Sequence, residues 1–336
     1  MEPSRAPYEF ASACTLPTSV GDFEMRVYRA GARGGPDAVA LVARLHHGRP
    51  AALESQQQQQ QQERQEPRAH EGDAQLPEGA VLLRVQDSCL TGEVFGSVRC
   101  DCRQQLDASL ARLQREAALQ HALGRRRRRR SEDASRSRPF DTGRDAAELE
   151  VIASAAARDG AGALPEGSDS GQRVVGLVVY LMQEGRGIGL AAKVSAYALQ
   201  PSGALVGGAR DAGTGAGLDT VDANRALGLP DDQREYGAVA DILRDLRLLG
   251  VADSISESDC RSVGGAFASS AASPTPELFL MTNNPRKAEL LGACGVRIRG
   301  RVACLVPPAS ALAAAYLRTK AERMGHEIPA SFFSIN

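Results

Sequence analysis

Residues 174–182 read VVGLVVYLM, nine positions without a charged side chain. A strand with one face in water alternates apolar with polar residues. An unbroken apolar run of this length is a strand buried on both faces. It commits the chain to a sheet covered by helices on both sides. The run leads into QEGRGIGL (183–190), whose glycines suit a tight turn, and then into the helical pattern AAKVSAYALQ.

The other segments extend that plan. Residues 15–45 read as short antiparallel strands joined by Gly/Pro turns. VLLRVQ (81–86) alternates apolar and polar residues, as a half-buried strand does. QQLDASLARLQREAALQHAL has helical spacing, with Gly124 as its expected stop. A helix ending near Gly228, the loop LPDDQREY and the helix AVADILRDLRLLG come next. The strand ELFLMT, a capped helix in NNPRKAELLGACG and a closing strand in VRIRGRVACLV follow. Strands alternating with helices define an α/β class with a mixed or parallel sheet and an N-terminal antiparallel β segment.

Low-complexity stretches interrupt this order. Residues 56–62 are all glutamine and 125–130 all arginine. Such segments bury too little apolar surface to offset their ordering entropy. The expected organisation is therefore a flexible N-terminus over 1–13 and one domain over 14–326. Disordered insertions fall at 54–78, 125–172, 201–217 and 252–275, and a tail at 327–336. About 200 ordered residues remain, enough for one good core or two small ones.

The formal net charge is −1, so nucleic acid is not an expected partner of the whole molecule. The arginine run reads as a solvated segment or as a nuclear-localisation-like patch for polyanions. No apolar run reaches membrane-span length, and the first residues lack a signal-peptide core. Seven cysteines at uneven spacing argue for a reducing compartment rather than a disulfide framework. These features lead to the expectation of a cytoplasmic protein, with an organelle address left open.

Three of those cysteines stand together in CLTGEVFGSVRCDC, at Cys89, Cys100 and Cys102. Three thiolates suit an open zinc site, in which water takes the fourth position. A fourth thiol from Cys294 or Cys304 would close the site and make it structural. Unliganded thiols are the third alternative. Two loops suit anions. QEGRGIGL sets glycines, Glu184 and Arg186 at a strand-to-helix turn, where backbone N–H groups face outward. TNNPRK (282–287) offers an N-cap asparagine, Pro285 at the first helical position, and Arg286 and Lys287 in the first turn. The helix dipole disfavours cations there, and a bound polyphosphate would reverse that preference. DDQREY (231–236) crowds Asp231, Asp232, Arg234 and Glu235 into one loop, a pattern that also fits solvated surface.

In these stretches, joined by LPTSVGDFEM, DTVDANRALGLPDDQREYG and YLRTKAERMGH, the chain resembles the GTP cyclohydrolase II family of riboflavin biosynthesis. The resemblance covers about half the chain in unbroken family order. It implies hydrolysis of GTP to 2,5-diamino-6-(5-phosphoribosylamino)pyrimidin-4(3H)-one, formate and pyrophosphate. It further implies one Zn2+ per subunit on Cys89, Cys100 and Cys102, Mg2+ with the triphosphate, and a homodimer. By position, Arg84, Val85, Gln105, Glu184, Gly185, Arg186, Thr220, Thr282 and Lys287 would bind GTP. Asp232 matches the family's proton acceptor, Arg234 its proposed nucleophile toward the α-phosphate, and Tyr197 a tyrosine near the scissile ring. A guanidinium stays protonated, so an electrostatic clamp is the less demanding role for Arg234.

The family usually reads R-V-H-S-E-C where this chain has Arg84-Val85-Gln86-Asp87-Ser88-Cys89, so no role is carried onto Gln86, Asp87 or Ser88. Arg103 and Asp222 replace a usual glycine and glutamate. The dihydroxybutanone phosphate synthase domain of fused homologues is not expected within these 336 residues. Two other readings stay open: the same fold stopping at a formamidopyrimidine nucleotide, and a decayed GTP-binding or regulatory protein.

Overall fold

The structure is a computed structural model that describes residues 7–31, 35–45, 76–136, 173–200, 220–230, 232–249, 275–308 and 310–333. The side chains of residues 128–136, 220, 221 and 312 are outside that description. Seven strands form one mixed sheet in the order β1-β2-β3-β5-β4-β6-β7. β1 (Tyr8–Thr18), β2 (Gly21–Ala30) and β3 (Ala38–Arg44) run antiparallel, and β3 pairs antiparallel with β5 (Val174–Leu181). β4 (Val81–Asp87), β6 (Leu278–Met281) and β7 (Ile298–Val302) continue from β5 in parallel pairs. The expected α/β class and antiparallel entry are both present.

β5 is buried at all but one position, as its apolar run requires. β4 departs from expectation. It is not half-buried, because β5 and β6 flank it and every residue before Asp87 is buried. Its polar positions, Arg84 and Gln86, bond to each other instead of meeting solvent.

The pleat sorts residues by parity. Leu83 and Val85 of β4, with Leu177 and Val179 of β5, face one core. There they meet Tyr236, Val239, Ile242 and Leu243 in and beside α5 (Gly237–Asp245), and Leu291 of α6 (Pro285–Ala293). Leu82 and Val178 face a second core around Leu113 of α2 (Cys102–Arg136). Gly176 admits that helix: a Cβ there would fall 2.4 Å from Leu113 Cδ2. Each fully buried Leu or Val stabilises the fold by about 1.5–3 kcal/mol. The remaining helices are α1 (Leu90–Glu93), α3 (Leu190–Leu199), α4 (Thr220–Ala226) and α7 (Ala311–Met324).

Several expected boundaries move. α2 does not stop at Gly124 but runs through the arginines to Arg136. Gly124 lacks the positive φ of a helix-ending glycine, and arginine is a good helix former. Residues 8–13, expected to be flexible, form part of β1 by pairing with β2. The insertion expected over 54–78 ends earlier, since Leu76 is buried in the second core. Within the expected tail, the Glu327 N–H donates to Asn283 O at 2.9 Å, and Ala330–Phe333 form a 3-10 turn. The expected insertion at 201–217, the one at 252–275 up to residue 274, and the rest of 125–172 lie outside the described residues, as does Asp231.

Candidate active site

β4, β5 and β6 end on the same edge of the sheet, and the segments after them line one cleft. In open α/β sheets, ligands bind at this carboxyl edge. The first segment carries the cysteines. Cys89 precedes α1, while Cys100 and Cys102 stand where α2 begins. Their ligand atoms all lie within 4.8 Å of one another, and Cys89 Sγ is 3.6 Å from Cys100 Sγ. Thiolates bonded tetrahedrally at about 2.3 Å would stand about 3.8 Å apart, so the cluster could hold one metal ion. Gly92 makes room for it: a Cβ there would be 2.7 Å from Cys100 Sγ and 3.3 Å from Cys89 Sγ.

The four-thiol alternative is not formed. Among the described residues, no further His, Cys, Asp or Glu joins the group. Cys304 Sγ instead sits 3.6 Å from Ser109 Oγ, and Cys294 caps α6.

A polar shell surrounds the thiols. Lys193 Nζ donates to Cys89 Sγ at 3.1 Å and to Glu184 Oε1 at 2.6 Å. Glu184 Oε2 accepts the Leu90 N–H at 2.6 Å, so both of its oxygens serve the thiol loop. Glu93 accepts from Gln86 Nε2 at 2.6 Å, from the Cys89 N–H at 3.3 Å and from the Tyr180 hydroxyl. Hydrogen bonds from Cys100 and Cys102, with the Lys193 ammonium beyond them, hold the Cys89 thiol far below its ordinary value despite burial. Tyr197 lies one turn after Lys193 and lines the same wall. Burial pushes its phenol up to about 12, so it keeps its proton at neutral pH.

The second segment is the glycine turn after β5. Gly185 and Arg186 both adopt positive φ, 62° and 63°. This is ordinary for glycine and strained for arginine. Arg186 Nη1 and Nη2 are buried and lack a hydrogen-bond partner among the described residues. A buried guanidinium without an acceptor calls for an anion in the cleft.

The third segment follows β6. Asn284 caps α6 through the Arg286 N–H at 3.1 Å, and Pro285 opens the helix, as expected. Lys287 points inward, donating to Val85 O at 3.0 Å and Asp87 Oδ2 at 2.9 Å. Burial pulls its ammonium down to about 8. Arg234, in the loop before α5, donates from Nε to Asp232 Oδ1 at 2.8 Å and from Nη1 to Asp87 Oδ2 at 2.9 Å. Burial pushes the Asp87 carboxyl up, and the Lys287 and Arg234 charges more than reverse this.

The expected site residues thus meet unevenly. Cys89, Cys100, Cys102, Arg84, Gln105, Glu184, Gly185, Arg186, Tyr197, Arg234, Thr282 and Lys287 all line the cleft. Arg84 is already held by Gln86 and by Gln105 Oε1, the latter at 2.7 Å. Val85 does not reach the cleft with its side chain, because its odd position on β4 points it into the first core. Asp232 reaches the cleft only through Arg234. Thr220 opens α4, and its side chain lies outside the described residues. Lys193, Asp87, Lys320 and His326, to which the sequence reading gave no role, also line the cleft. Lys193 could have been found from its place four residues before Tyr197 on one helix face. Burial, then the charges of Lys320, Arg186 and Arg234, push the His326 imidazole down to about 3.

These features define a class: an α/β protein with three clustered thiols at the sheet edge that could hold a metal ion, in a cleft whose buried cations suit an anion. A family model described as GTP cyclohydrolase II matches residues 9–121 and 169–252. The GTP cyclohydrolase-2 of Streptomyces coelicolor is 35% identical over 250 residues, covering 74% of this chain and 68% of that protein. The riboflavin biosynthesis protein RibBA of Bacillus mycoides is 32% identical over 246 residues, covering 73% of this chain and 37% of that protein. RibBA of Rhodococcus jostii is 33% identical over 261 residues, covering 76% and 39%. This chain therefore spans little more than a third of either RibBA protein. The chain belongs to the GTP cyclohydrolase II family. No helix among the described residues is long and apolar enough to cross a membrane.

Proposed function

We propose that the chain is a GTP cyclohydrolase II, hydrolysing GTP to formate, pyrophosphate and 2,5-diamino-6-(5-phosphoribosylamino)pyrimidin-4(3H)-one in riboflavin biosynthesis. The balance consumes three waters, one at the α-phosphate and two at purine C8. The observation that carries this reading is one cleft holding three clustered thiols beside the unpartnered guanidinium of Arg186.

Cys89, Cys100 and Cys102 would hold zinc, which would supply Lewis acidity for hydrolysis of the purine ring. Lys193 donates to the Cys89 thiolate and draws off part of its charge. Tyr197 keeps its proton and can donate it to a ring nitrogen as the imidazole opens. Arg186, Lys287 and Arg234 grip the triphosphate, whose Mg2+ takes oxygen ligands. Arg234 is a protonated guanidinium bound by two carboxylates, which fits a clamp on the phosphoryl group rather than a nucleophile. Gln105 and Thr282 stand at the nucleotide's edge, and Asp232 orients Arg234. The protein would work as a homodimer in the cytoplasm.

The test is release of formate and pyrophosphate from GTP by the purified protein with zinc and magnesium. Equal amounts of both support the reading. Absence of formate at saturating GTP would reject it.

A further inference from the structure

Asp87 ends β4 two residues before the first thiol, and the reaction proposed above gives it no part. The family pattern places serine here, so the carboxylate is this chain's own. Its Oδ2 accepts from Lys287 Nζ and Arg234 Nη1, both at 2.9 Å, and the Tyr236 hydroxyl lies at 3.4 Å. Its Oδ1 is buried and meets no donor among the described residues. A buried carboxylate is tolerated only when paired, and here two cations from separate elements pair with one oxygen.

Geometry gives that oxygen a task. Asp232, the other partner of Arg234, stands two residues away on the same loop and grips its guanidinium through Nε and Nη2. Two hydrogen bonds tie the loop to the glycine turn, with the Gln233 N–H donating to Arg186 O at 3.0 Å and the Glu235 N–H to the Gln183 side-chain Oε1 at 2.7 Å. Those bonds place the loop, and within it Asp232 holds the guanidinium but does not tie it to the sheet. Asp87 fixes where it points, relative to the sheet and to Lys287.

We propose that Asp87 is the positioning residue that holds Arg234 and Lys287 together against the phosphoryl group. The proposal rests on the cyclohydrolase reading. Two carboxylates face two cations in this cluster, which is therefore neutral as a whole. Removing the charge of Asp87 also pulls the Lys287 ammonium further down, since that carboxylate holds it up, so the cluster stays close to neutral and ground-state attraction for the triphosphate is kept. The aim of the guanidinium is lost, and misplacement of about 1 Å costs about 100-fold in rate. A rate loss without weaker binding is the signature of positioning. A merely structural fault would weaken GTP binding and zinc retention along with the rate.

The experiment measures kcat and KM for GTP, zinc content and thermal melting in wild type, Asp87→Asn and Asp87→Ser. The expected result is a kcat down about 100-fold, with KM little changed and zinc retained in a variant that still folds, its melting temperature lowered because two buried cations lose a partner. A folded variant with kcat within about threefold of wild type overturns the proposal, on the same scale of rate loss. So does loss of zinc or of the folded state in both variants, which would make Asp87 structural. A wild type that releases no formate sinks the cyclohydrolase reading itself, a different and separable outcome.

Discussion

Three thiolates donate more charge to a metal than three imidazoles, which weakens its Lewis acidity, and the 3.1 Å bond from Lys193 Nζ to Cys89 Sγ works against this. Replacing Lys193 with Met keeps the length and removes the charge. Zinc affinity, read by competition with a chelator, and kcat should each fall about 10- to 100-fold; unchanged values would assign Lys193 to packing alone. Lys287 supplies a pH test. Its ammonium titrates near 8, so it is charged below that pH and neutral above it. Attraction for the triphosphate is lost as pH rises, and KM for GTP should climb above pH 8. Lys287→Arg stays protonated and should flatten the profile; a flat wild-type profile would contradict the placement. The thiols and anion loops were legible in the sequence because their spacing is local. Asp87 was not, since its partners lie 147 and 200 residues away along the chain.

Among elements, β5 was readable because a strand buried on both faces carries no polar residue to confuse the pattern. β4 misled for the opposite reason: Arg84 and Gln86 mimic the solvent face of an edge strand while serving the cleft. The parity of the pleat then explains the site. Even positions carry Arg84 and Gln86 toward α2 and the thiols, and odd Asp87 falls on the side of α5 and α6. α2 ran past its expected stop because a helix-interior glycine is only mildly unfavourable. Gly124→Ala should therefore stabilise the protein by about 1 kcal/mol and raise helicity. A lower melting temperature would mean that the chain turns at Gly124.

At the scale of the molecule, one sheet serves two ends. Its antiparallel half closes the core, and its parallel half aligns three strand ends so that thiols, glycine turn and capped helix meet. Order along the chain foretold this meeting, since each motif follows a strand. Ring opening is proposed to depend on one metal ion that Cys89, Cys100 and Cys102 hold together. Zinc content and GTP-dependent formate release, measured side by side in wild type and Cys100→Ser, test it most directly. One zinc per chain with formate release in wild type, and loss of both in the variant, is the predicted result. A Cys100→Ser protein that keeps its zinc and its formate release would contradict it.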